Sequence, residues 1–358
     1  MPMPSARWSC ESSSATPQDY LPLAQARRSF QNPVISLYER FPTMRVVGFN
    51  ETGGPEVLSM FEVPEPHPGP GQVRVTVAGA AVSPVDAAMR SGFRADQYVD
   101  VPAPHVPGFD FAGTVDEVGA DTPFTVGQAV LGVTFPVVGG GGAYAEKVVT
   151  DAANVVAVPD SIDILAAATI PMNALTAIAA LDALNLPAGA WLGVTGAAGA
   201  VGGYAIQLAA DRGLHVVADA SKPDEDLIAS LGAEKVVRRG ENVAEHMRQV
   251  VPGGVDGLID AAAQGAAVIP AITDSGGYVT VRYADLKPER DITLHAVAVS
   301  DIIADHPRCR RALDTLARLL ATGALTPRIA STIPAEHAAD AHRALAAGGL
   351  RGRQVLTF

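Results

Sequence analysis

Cysteine is nearly missing from this sequence of 358 residues, which contains only Cys10 and Cys309. Two cysteines can build neither a disulfide framework nor a structural zinc site of four thiolates. The simplest interpretation of so few cysteines is a reducing compartment, so we predict a cytoplasmic protein.

Charged residues are also few, and basic residues are fewer than acidic ones. Charged residues make up 18% of the chain, and 26 basic against 38 acidic side chains give a net charge of −12. A field of this sign repels phosphate backbones and anionic lipid headgroups. We therefore expect no nucleic-acid partner and no membrane partner, which leaves a small-molecule substrate.

Long apolar runs are few. The longest, residues 164–181, has about the length of a membrane span, but Pro171, Asn173 and two threonines interrupt it. We predict buried helical hairpin material in a soluble protein at this place.

Residues 1–43 have little apolar periodicity of any kind and are rich in serine and proline. They lack the apolar region of a secretory signal peptide, and they are predicted to have no fold of their own. We favour an extension ahead of an internal start at Met44 over a targeting role.

The remainder of the chain shows two different patterns of apolar residues. Period-two or β-branched runs at 44–49, 57–63, 72–82, 111–118 and 143–149, separated by Gly and Pro, indicate a β-rich, barrel-like unit. After residue 163, apolar runs of about five residues, such as 191–195 and 255–260, alternate with helical patterns, such as 264–272. This alternation is typical of a parallel, doubly wound α/β sheet. Further helical patterns at 307–322 and 335–347 and a strand at 354–358 follow.

A glycine-rich turn lies between the first strand and the first helix of that alternating half. It reads Ala197-x-Gly199-x-x-Gly202, with alanine where the usual fingerprint has its first glycine. Amides at a helix start, with no side chains in the way, can receive a pyrophosphate. Asp219, at the end of the second strand, has the position expected of a ribose-binding carboxylate. The pattern predicts a dinucleotide site.

Which dinucleotide binds is left open by two conflicting signals. Asp219 would accept hydrogen bonds from a ribose 2′-hydroxyl and repel a 2′-phosphate, which favours NADH. Ser221, Lys222 and Arg239 could instead hold that phosphate through charge-assisted hydrogen bonds, which favours NADPH. A solvated loop is the alternative interpretation of these three residues, and for Arg239 taken alone it is the favoured one.

Several motifs in the right order resemble a known family. They are Ser83-Pro84-Val85-Asp86, Pro107-Gly108-Phe109-Asp110-Phe111-Ala112-Gly113, Gly141-Gly142-Ala143-Tyr144-Ala145-Glu146, the glycine-rich turn and Leu231-Gly232-Ala233. From Met44 to the C-terminus the chain resembles the quinone oxidoreductase family of the zinc-independent medium-chain dehydrogenases/reductases. The resemblance implies a GroES-like catalytic domain, 44–163 with 327–358, and a Rossmann dinucleotide-binding domain, 164–326. It also implies NADPH as the cofactor, with NADH as the alternative, and a homodimer.

The zinc-dependent branch of that superfamily is disfavoured by the residues present. A catalytic zinc needs about three Cys, His or carboxylate ligands and an open position. Where those enzymes have cysteine this chain has Ser83 or Pro84, and where they have Gly-His-Glu it has Gly108-Phe109-Asp110. The eight histidines are scattered without ligand spacing, so we predict no metal.

The resemblance also implies roles for single residues. Gly199, Ala200 and Val201 would contact the pyrophosphate, Asn173 and Thr176 would approach the nicotinamide half, and Val281 would lie beneath the ring. Ser83 and Asp86 would face the catalytic cleft, Ser83 as a hydrogen-bond donor and Asp86 as an orienting or proton-relay group. An equally good interpretation makes Asp86 a helix N-terminal residue stabilised by the local dipole. We expect Tyr144 to be a packing residue.

Two departures from the family put the proton donor in question. Many members have Asn at the position of Ser83 and Tyr at the position of Ala88. Without a metal, quinones and α,β-unsaturated carbonyls are the acceptors easiest to reduce, because the incoming hydride leaves a delocalised anion. We predict hydride transfer from the nicotinamide to such an acceptor. Reduction of an enoyl thioester or a biosynthetic intermediate, and NADPH binding without turnover, are the alternatives.

Overall fold

The computed structural model describes residues 42–93, 95–98, 100–136, 141–281, 286–287 and 289–358. All but two residues of the predicted N-terminal extension lie outside these ranges.

The first half of the chain is built mainly from short antiparallel strands. Its elements are β1 (Thr43–Gly48), β2 (Ser59–Pro64), β3 (Gln72–Ala81), α1 (Pro84–Arg90), β4 (Asp110–Val118), β5 (Ala129–Val133), β6 (Lys147–Asp151) and β7 (Val155–Ala157). β1 and β2 form a two-stranded sheet, while β3 pairs with both β4 and β6. Buried residues on β3 and β4, such as Val75, Val77 and Phe111, pack into one core. The predicted β-rich unit is confirmed.

The second half alternates strands and helices. Its elements are α2 (Ile164–Ala167), α3 (Pro171–Leu184), β8 (Trp191–Thr195), α4 (Ala200–Asp211), β9 (His215–Ala220), α5 (Glu225–Ser230), β10 (Lys235–Arg238), α6 (Val243–Val250), β11 (Val255–Asp260), β12 (Ile272–Thr280) and β13 (Thr293–Ala296). The strands form a parallel sheet in the order β10-β9-β8-β11-β12-β13. This is the order of a doubly wound dinucleotide-binding fold, whose ligands bind at the carboxyl ends of the strands.

The C-terminal segment adds two strands to the sheet that contains β3. Its elements are α7 (Val299–Ala304), α8 (His306–Thr322), β14 (Ile329–Pro334), α9 (Ala338–Ala347) and β15 (Arg353–Thr357). Asp305 caps α8 by accepting a hydrogen bond from the amide of Arg308, and Gly323 ends the helix in the left-handed conformation. β15 lies between β14 and β3, so strands from both ends of the chain share one sheet. The domain limits at 163/164 and 326/327 remain predictions.

The structure differs from the sequence-based elements in a few places. β5, β7, β13 and β14 were not predicted as strands, and the predicted helix at 264–272 is a 3₁₀ segment, Gly265–Ala271. Pro270 lies inside that segment, and proline both lacks the amide proton and clashes with the preceding turn of an α-helix.

The apolar stretch 164–181 forms α2 and most of α3. Nearly every residue of the first three turns of α3 is buried, as expected of a helix that is apolar all round. In the part of the chain that the structure describes, we find no helix with both the length and the apolar character needed to cross a membrane.

Candidate active site

Two positions of the glycine-rich turn that joins β8 to α4 leave no room for a side chain. Gly196 has a φ of +68°, and a Cβ at that position would lie 2.9 Å from the carbonyl carbon of Ala261. A Cβ at Gly202 would lie 2.5 Å from the carbonyl oxygen of Gly196. Both contacts are with backbone atoms, which cannot rotate away, so any side chain here would displace the turn.

The start of α4 presents backbone amides to the outside of this turn. Gly199 is the N-cap residue, and no side chain of the described residues caps the helix there. The Gly199 amide itself donates to the carbonyl of Gly196 at 2.9 Å. The amides of the first helical turn, at Ala200 and Val201, therefore keep the positive end of the helix available for an anion. The glycine cradle fits the diphosphate of a nicotinamide dinucleotide.

Asp219 contacts the turn directly. Its Oδ1 accepts the amide proton of Ala197 at 3.0 Å, and the residue is only 3% exposed. Burial raises the pKa of Asp219, while the hydrogen bonds from the amides of Ala197 and Gly196 act in the opposite direction. The Asp219 carboxylate thus helps to hold the glycine-rich turn in its conformation.

Ser221 and Lys222 follow β9, and Arg239 follows the neighbouring strand β10, where its amide donates to the carbonyl of Ala220 at 2.9 Å. Ser221 donates its hydroxyl proton to Asp224 at 2.5 Å, and Lys222, whose side chain is 90% exposed, pairs with Glu225 at 3.1 Å. The side chain of Arg239 is exposed. Two cationic side chains therefore stand in solvent beside the turn.

Asp224 has a second partner that the sequence did not indicate. Arg351, from the segment before β15, donates to both carboxylate oxygens at 2.5 and 2.8 Å. The Arg351 guanidinium and the Ser221 hydroxyl hold the pKa of Asp224 below its usual range.

A second unexpected arginine lies against the turn itself. Arg328 donates to the carbonyl oxygens of Ala198 at 3.2 Å and Gly199 at 2.7 Å. It comes from the loop before β14, roughly 130 positions along the chain from the turn. No local motif marks it, because a single arginine before a strand is indistinguishable by sequence from a surface residue.

The residues assigned to the nicotinamide half lie on two elements. Asn173 and Thr176 are buried in the first two turns of α3, where the Thr176 hydroxyl donates to the carbonyl of Met172 at 2.8 Å. Val281 follows β12 directly and is half-buried. These placements do not test the predicted contacts with a nicotinamide.

Ser83 and Asp86 form the start of α1. Asp86 accepts the amide proton of Ser83 at 2.7 Å and completes a capping box. It also accepts from the amide of Gly108 at 3.1 Å and from the hydroxyl of Tyr144 at 3.2 Å. Asp86 is fully buried, and this burial raises its pKa to about 7. The helix-capping interpretation thus describes its contacts, while a catalytic role stays a prediction.

Tyr144 extends this group toward α9. Its hydroxyl lies 3.1 Å from Nε2 of His342, whose Nδ1 lies 3.4 Å from Nε of Arg90. Burial, with a smaller effect of the Arg90 charge, lowers the pKa of His342 to about 4. Tyr144 is fully buried, in agreement with the expected packing position.

Ser83 also contacts a buried ion pair, formed by Arg353 and Asp110. Arg353, the first residue of β15, donates to Asp110 at 2.5 Å, to the carbonyl of Ala81 at 3.1 Å and to the hydroxyl of Ser83. The other oxygen of Asp110 accepts the amide proton of Met172 at 2.5 Å. This contact connects β4 to the first turn of α3, which carries Asn173.

The contacts of Arg353 show whether these residues could hold a zinc ion. By the family resemblance, Ser83, Phe109 and Asp110 lie where the zinc-dependent enzymes have ligands or residues next to them. The two oxygen donors of this set, Ser83 and Asp110, already contact the Arg353 guanidinium. A divalent cation there would face a fixed positive charge, so this donor set does not fit zinc. Among the described residues, no group of three or more His, Cys, Asp or Glu side chains could hold a metal ion.

Comparison with known proteins places this geometry among dehydrogenases. The family model of the alcohol dehydrogenase GroES-like domain matches residues 69–160, and the model named zinc-binding dehydrogenase matches residues 231–356. A quinone oxidoreductase of Lama guanicoe is 30% identical over 333 residues, which cover 87% of this chain and 97% of that protein.

Two further similarities concern function and cofactor. The trans-enoyl reductase himH of Aspergillus japonicus is 34% identical over 205 residues, 53% of this chain and 58% of that protein. The match therefore spans little more than half the length of that relative. A solved mycobacterial structure, described as complexed with NADPH, is 25% identical with a TM-score of 0.76 and covers 88% of this chain and 100% of that one.

Proposed function

Because the chain belongs to the quinone oxidoreductase family of the medium-chain dehydrogenases/reductases, we propose that it transfers a hydride from NADPH to a quinone or an α,β-unsaturated carbonyl. The observation that carries the proposal is the glycine-built turn at residues 196–202, with the uncapped start of α4 behind it. A bound nicotinamide would supply the hydride; the chain supplies its binding and orientation.

The proposed cofactor-binding residues divide into three groups by the role that each would have. Gly199, Ala200 and Val201 would hold the diphosphate, and Asp219 would keep the turn in shape through the amide of Ala197. Asn173, Thr176 and Val281 would flank the nicotinamide half. Since the first turn of α3 is tied to Asp110, Asn173 would keep a fixed position during turnover.

We propose a chemistry without zinc, because Arg353 occupies the donor set that a zinc ion would need. Ser83 and Asp86 would act as positioning residues, since their side chains are buried in hydrogen bonds to the protein. The delocalised anion left after hydride transfer needs less electrostatic help than an isolated alkoxide. Its proton would come from solvent water.

NADPH is proposed over NADH on the charges beside the turn. The carboxylate of Asp219, which would repel a 2′-phosphate, is buried against the Ala197 amide. Lys222 and Arg239 are exposed at the ends of the two neighbouring strands. The structural neighbour described as complexed with NADPH supports the same choice.

Titration of the full chain with NADPH and NADH side by side, followed by protein fluorescence, tests cofactor binding. Loss of absorbance at 340 nm with a panel of quinones and enones then tests turnover. We expect saturable binding with NADPH as the tighter ligand and turnover with at least one acceptor of the panel. Binding without turnover on any acceptor would favour a non-catalytic NADPH-binding protein, and the lack of any binding would refute the proposal.

Reduction of an enoyl thioester is the second candidate, and the similarity to a trans-enoyl reductase favours it. Including enoyl-coenzyme A and N-acetylcysteamine enoyl thioesters in the panel separates the two candidates by their kcat/KM values. We further propose a homodimer, on the family resemblance alone, which light scattering tests.

A further inference from the structure

The arginine that lies against the glycine-rich turn, Arg328, comes from a loop whose backbone is held on two sides. The amide of Thr326 donates to Oε1 of Gln207 on α4 at 2.8 Å, and the amide of Arg353 donates to the carbonyl of Arg328 at 2.9 Å. The loop before β14 is thus attached to α4 on one side and to β15 on the other. Arg328 reaches the turn from a backbone whose position is fixed.

The hydrogen bonds of Arg328 reinforce the orientation of the amides in the turn. The carbonyl oxygen of Gly199 accepts the amide proton of Gly203 at 3.0 Å, as part of α4, and it also accepts a proton from Nη2 of Arg328 at 2.7 Å. In a trans peptide unit the C=O of Gly199 and the N–H of Ala200 point in opposite directions within one plane. Holding the carbonyl therefore directs the Ala200 amide away from Arg328 and toward the outer side of the turn, where an anion would bind.

Two further observations mark this as more than a surface contact. The Nε of Arg328 is buried and has no hydrogen-bond partner among the residues that the structure describes, so part of its donor capacity is unused. A Cβ at Gly203 would collide with its guanidinium. The glycine that follows Gly202 therefore leaves the space that Arg328 fills.

We propose that Arg328 is a positioning residue for the cofactor diphosphate, which orients the amides of the turn and adds a positive charge behind them. This inference rests on the proposed function, since it assumes that the turn receives a dinucleotide. It attributes part of the cofactor affinity to the C-terminal segment rather than to the glycine motif. Because the amides of the turn are already oriented before the cofactor arrives, less free energy is lost in ordering them on binding.

The test compares ligands with and without a diphosphate by calorimetric titration. In Arg328→Met we expect the dissociation constants of NADPH and ADP-ribose to rise about tenfold, as for loss of a charge-assisted interaction. Adenosine 2′-monophosphate, which lacks the diphosphate, should change by less than about twofold. Arg318→Met is the matched control, because Arg318 also contacts α4 but at its other end, through Asp211 at 3.3 Å.

Gly203→Ala provides a second test that leaves the arginine in the protein. The added methyl group should displace the guanidinium while it improves the helix propensity of α4. We expect weaker NADPH binding without loss of thermal stability, and no further loss when it is combined with Arg328→Met. If Arg328→Met does not fold, Gly203→Ala decides.

Equal affinity of the variants and the wild type for NADPH would overturn the inference and leave the proposed function intact. A uniform loss for all three ligands would also overturn it, because it would indicate a general structural role. If the wild-type protein binds no nucleotide, the proposed function fails, and this inference fails with it.

Discussion

Among the described residues, no side chain caps the amides of Ala200 and Val201 at the start of α4. By contrast, both oxygens of Asp86 and both oxygens of Asp110 have donors within hydrogen-bond distance. The first region offers unused hydrogen-bond donors beside a positive helix end. In the second region the carboxyl oxygens already have hydrogen-bond partners inside the protein. A ligand anion is favoured at the first place, while the second is suited to hold elements together.

The start of α4 is suited to bind a ligand, whereas the region around Asp86 and Asp110 is suited to position other elements. The polar groups at the start of α1 and on β4 connect three parts of the chain, namely β15, the loop at Gly108 and the first turn of α3. A buried network of this kind restricts how these parts can move relative to one another. The glycine-rich turn is held at its backbone by Asp219 and Arg328, and it depends on the space that Gly196 and Gly202 leave.

The strongest test of the buried region is removal of Arg353. Arg353→Met would leave the Asp110 carboxylate buried without its cation, and we expect a loss of about 3–5 kcal/mol in the free energy of unfolding. Urea denaturation followed by tryptophan fluorescence measures it. Arg343→Met is the control, because Arg343 forms an exposed ion pair with Asp340, and it should change the stability by less than about 0.5 kcal/mol. A loss as small as that of the control would contradict the structural role of the pair.

The strongest test of the open region is Gly202→Ala. The added Cβ would meet the backbone oxygen of Gly196 at 2.5 Å and the Cα of Ala197 at 2.8 Å. The turn must shift, so the affinity for NADPH should fall about 100-fold, equivalent to about 3 kcal/mol. Gly253→Ala serves as control, since a Cβ there meets nothing within 4 Å. Undiminished NADPH affinity in Gly202→Ala would show that the turn does not hold the cofactor.

The pH dependence of stability sharpens the description of Asp86. Its pKa rises to about 7 because it is buried, so between about pH 4 and 7 the folded protein keeps a proton that the unfolded chain releases. Its contribution to stability is present at low pH and is lost as the pH rises through 7. His342 acts in the opposite sense, since burial lowers its pKa to about 4 and its contribution is lost as the pH falls toward that value.

The difference between the wild type and Asp86→Asn isolates the carboxyl group, because His342 titrates in both proteins. From pH 5 to pH 8 the variant should gain stability relative to the wild type, by on the order of 2 kcal/mol. Urea denaturation at four pH values measures this. A difference that is constant with pH would show that Asp86 is ionised throughout.

The fold was predictable where local sequence carried a repeated signal. β8 and β11 have the predicted bounds, and the glycine-rich turn lies between β8 and α4 as expected. Short strands such as β7 and β13, with three and four residues, were missed because so few residues establish no period. They exist because neighbouring strands pair with them.

The candidate site was predictable on the cofactor side and less so elsewhere. A strand, a glycine turn and a helix are contiguous, so their sequence specifies the geometry of the amides. Arg328, Arg351 and Arg353 come from the last thirty or so residues of the chain and contact groups more than a hundred positions away. The sequence motifs contained Ser83 and Asp110 but did not reveal that one arginine would bind both.

The smallest expected effect concerns the choice of dinucleotide, and it returns to the open region. Lys222→Met should weaken NADPH binding by only a few fold, because the side chain is 90% exposed and its charge is screened by salt. NADH, without the 2′-phosphate, should bind as it does to the wild type. Lys235→Met is a matched control, since Lys235 begins β10 and so lies at the amino ends of the parallel strands, whereas Lys222 follows the carboxyl end of β9. A loss that vanishes in high salt would indicate a contact with phosphate. An equal loss of affinity for both dinucleotides would show that Lys222 does not select NADPH, and Asp219 would then be the residue that sets the preference.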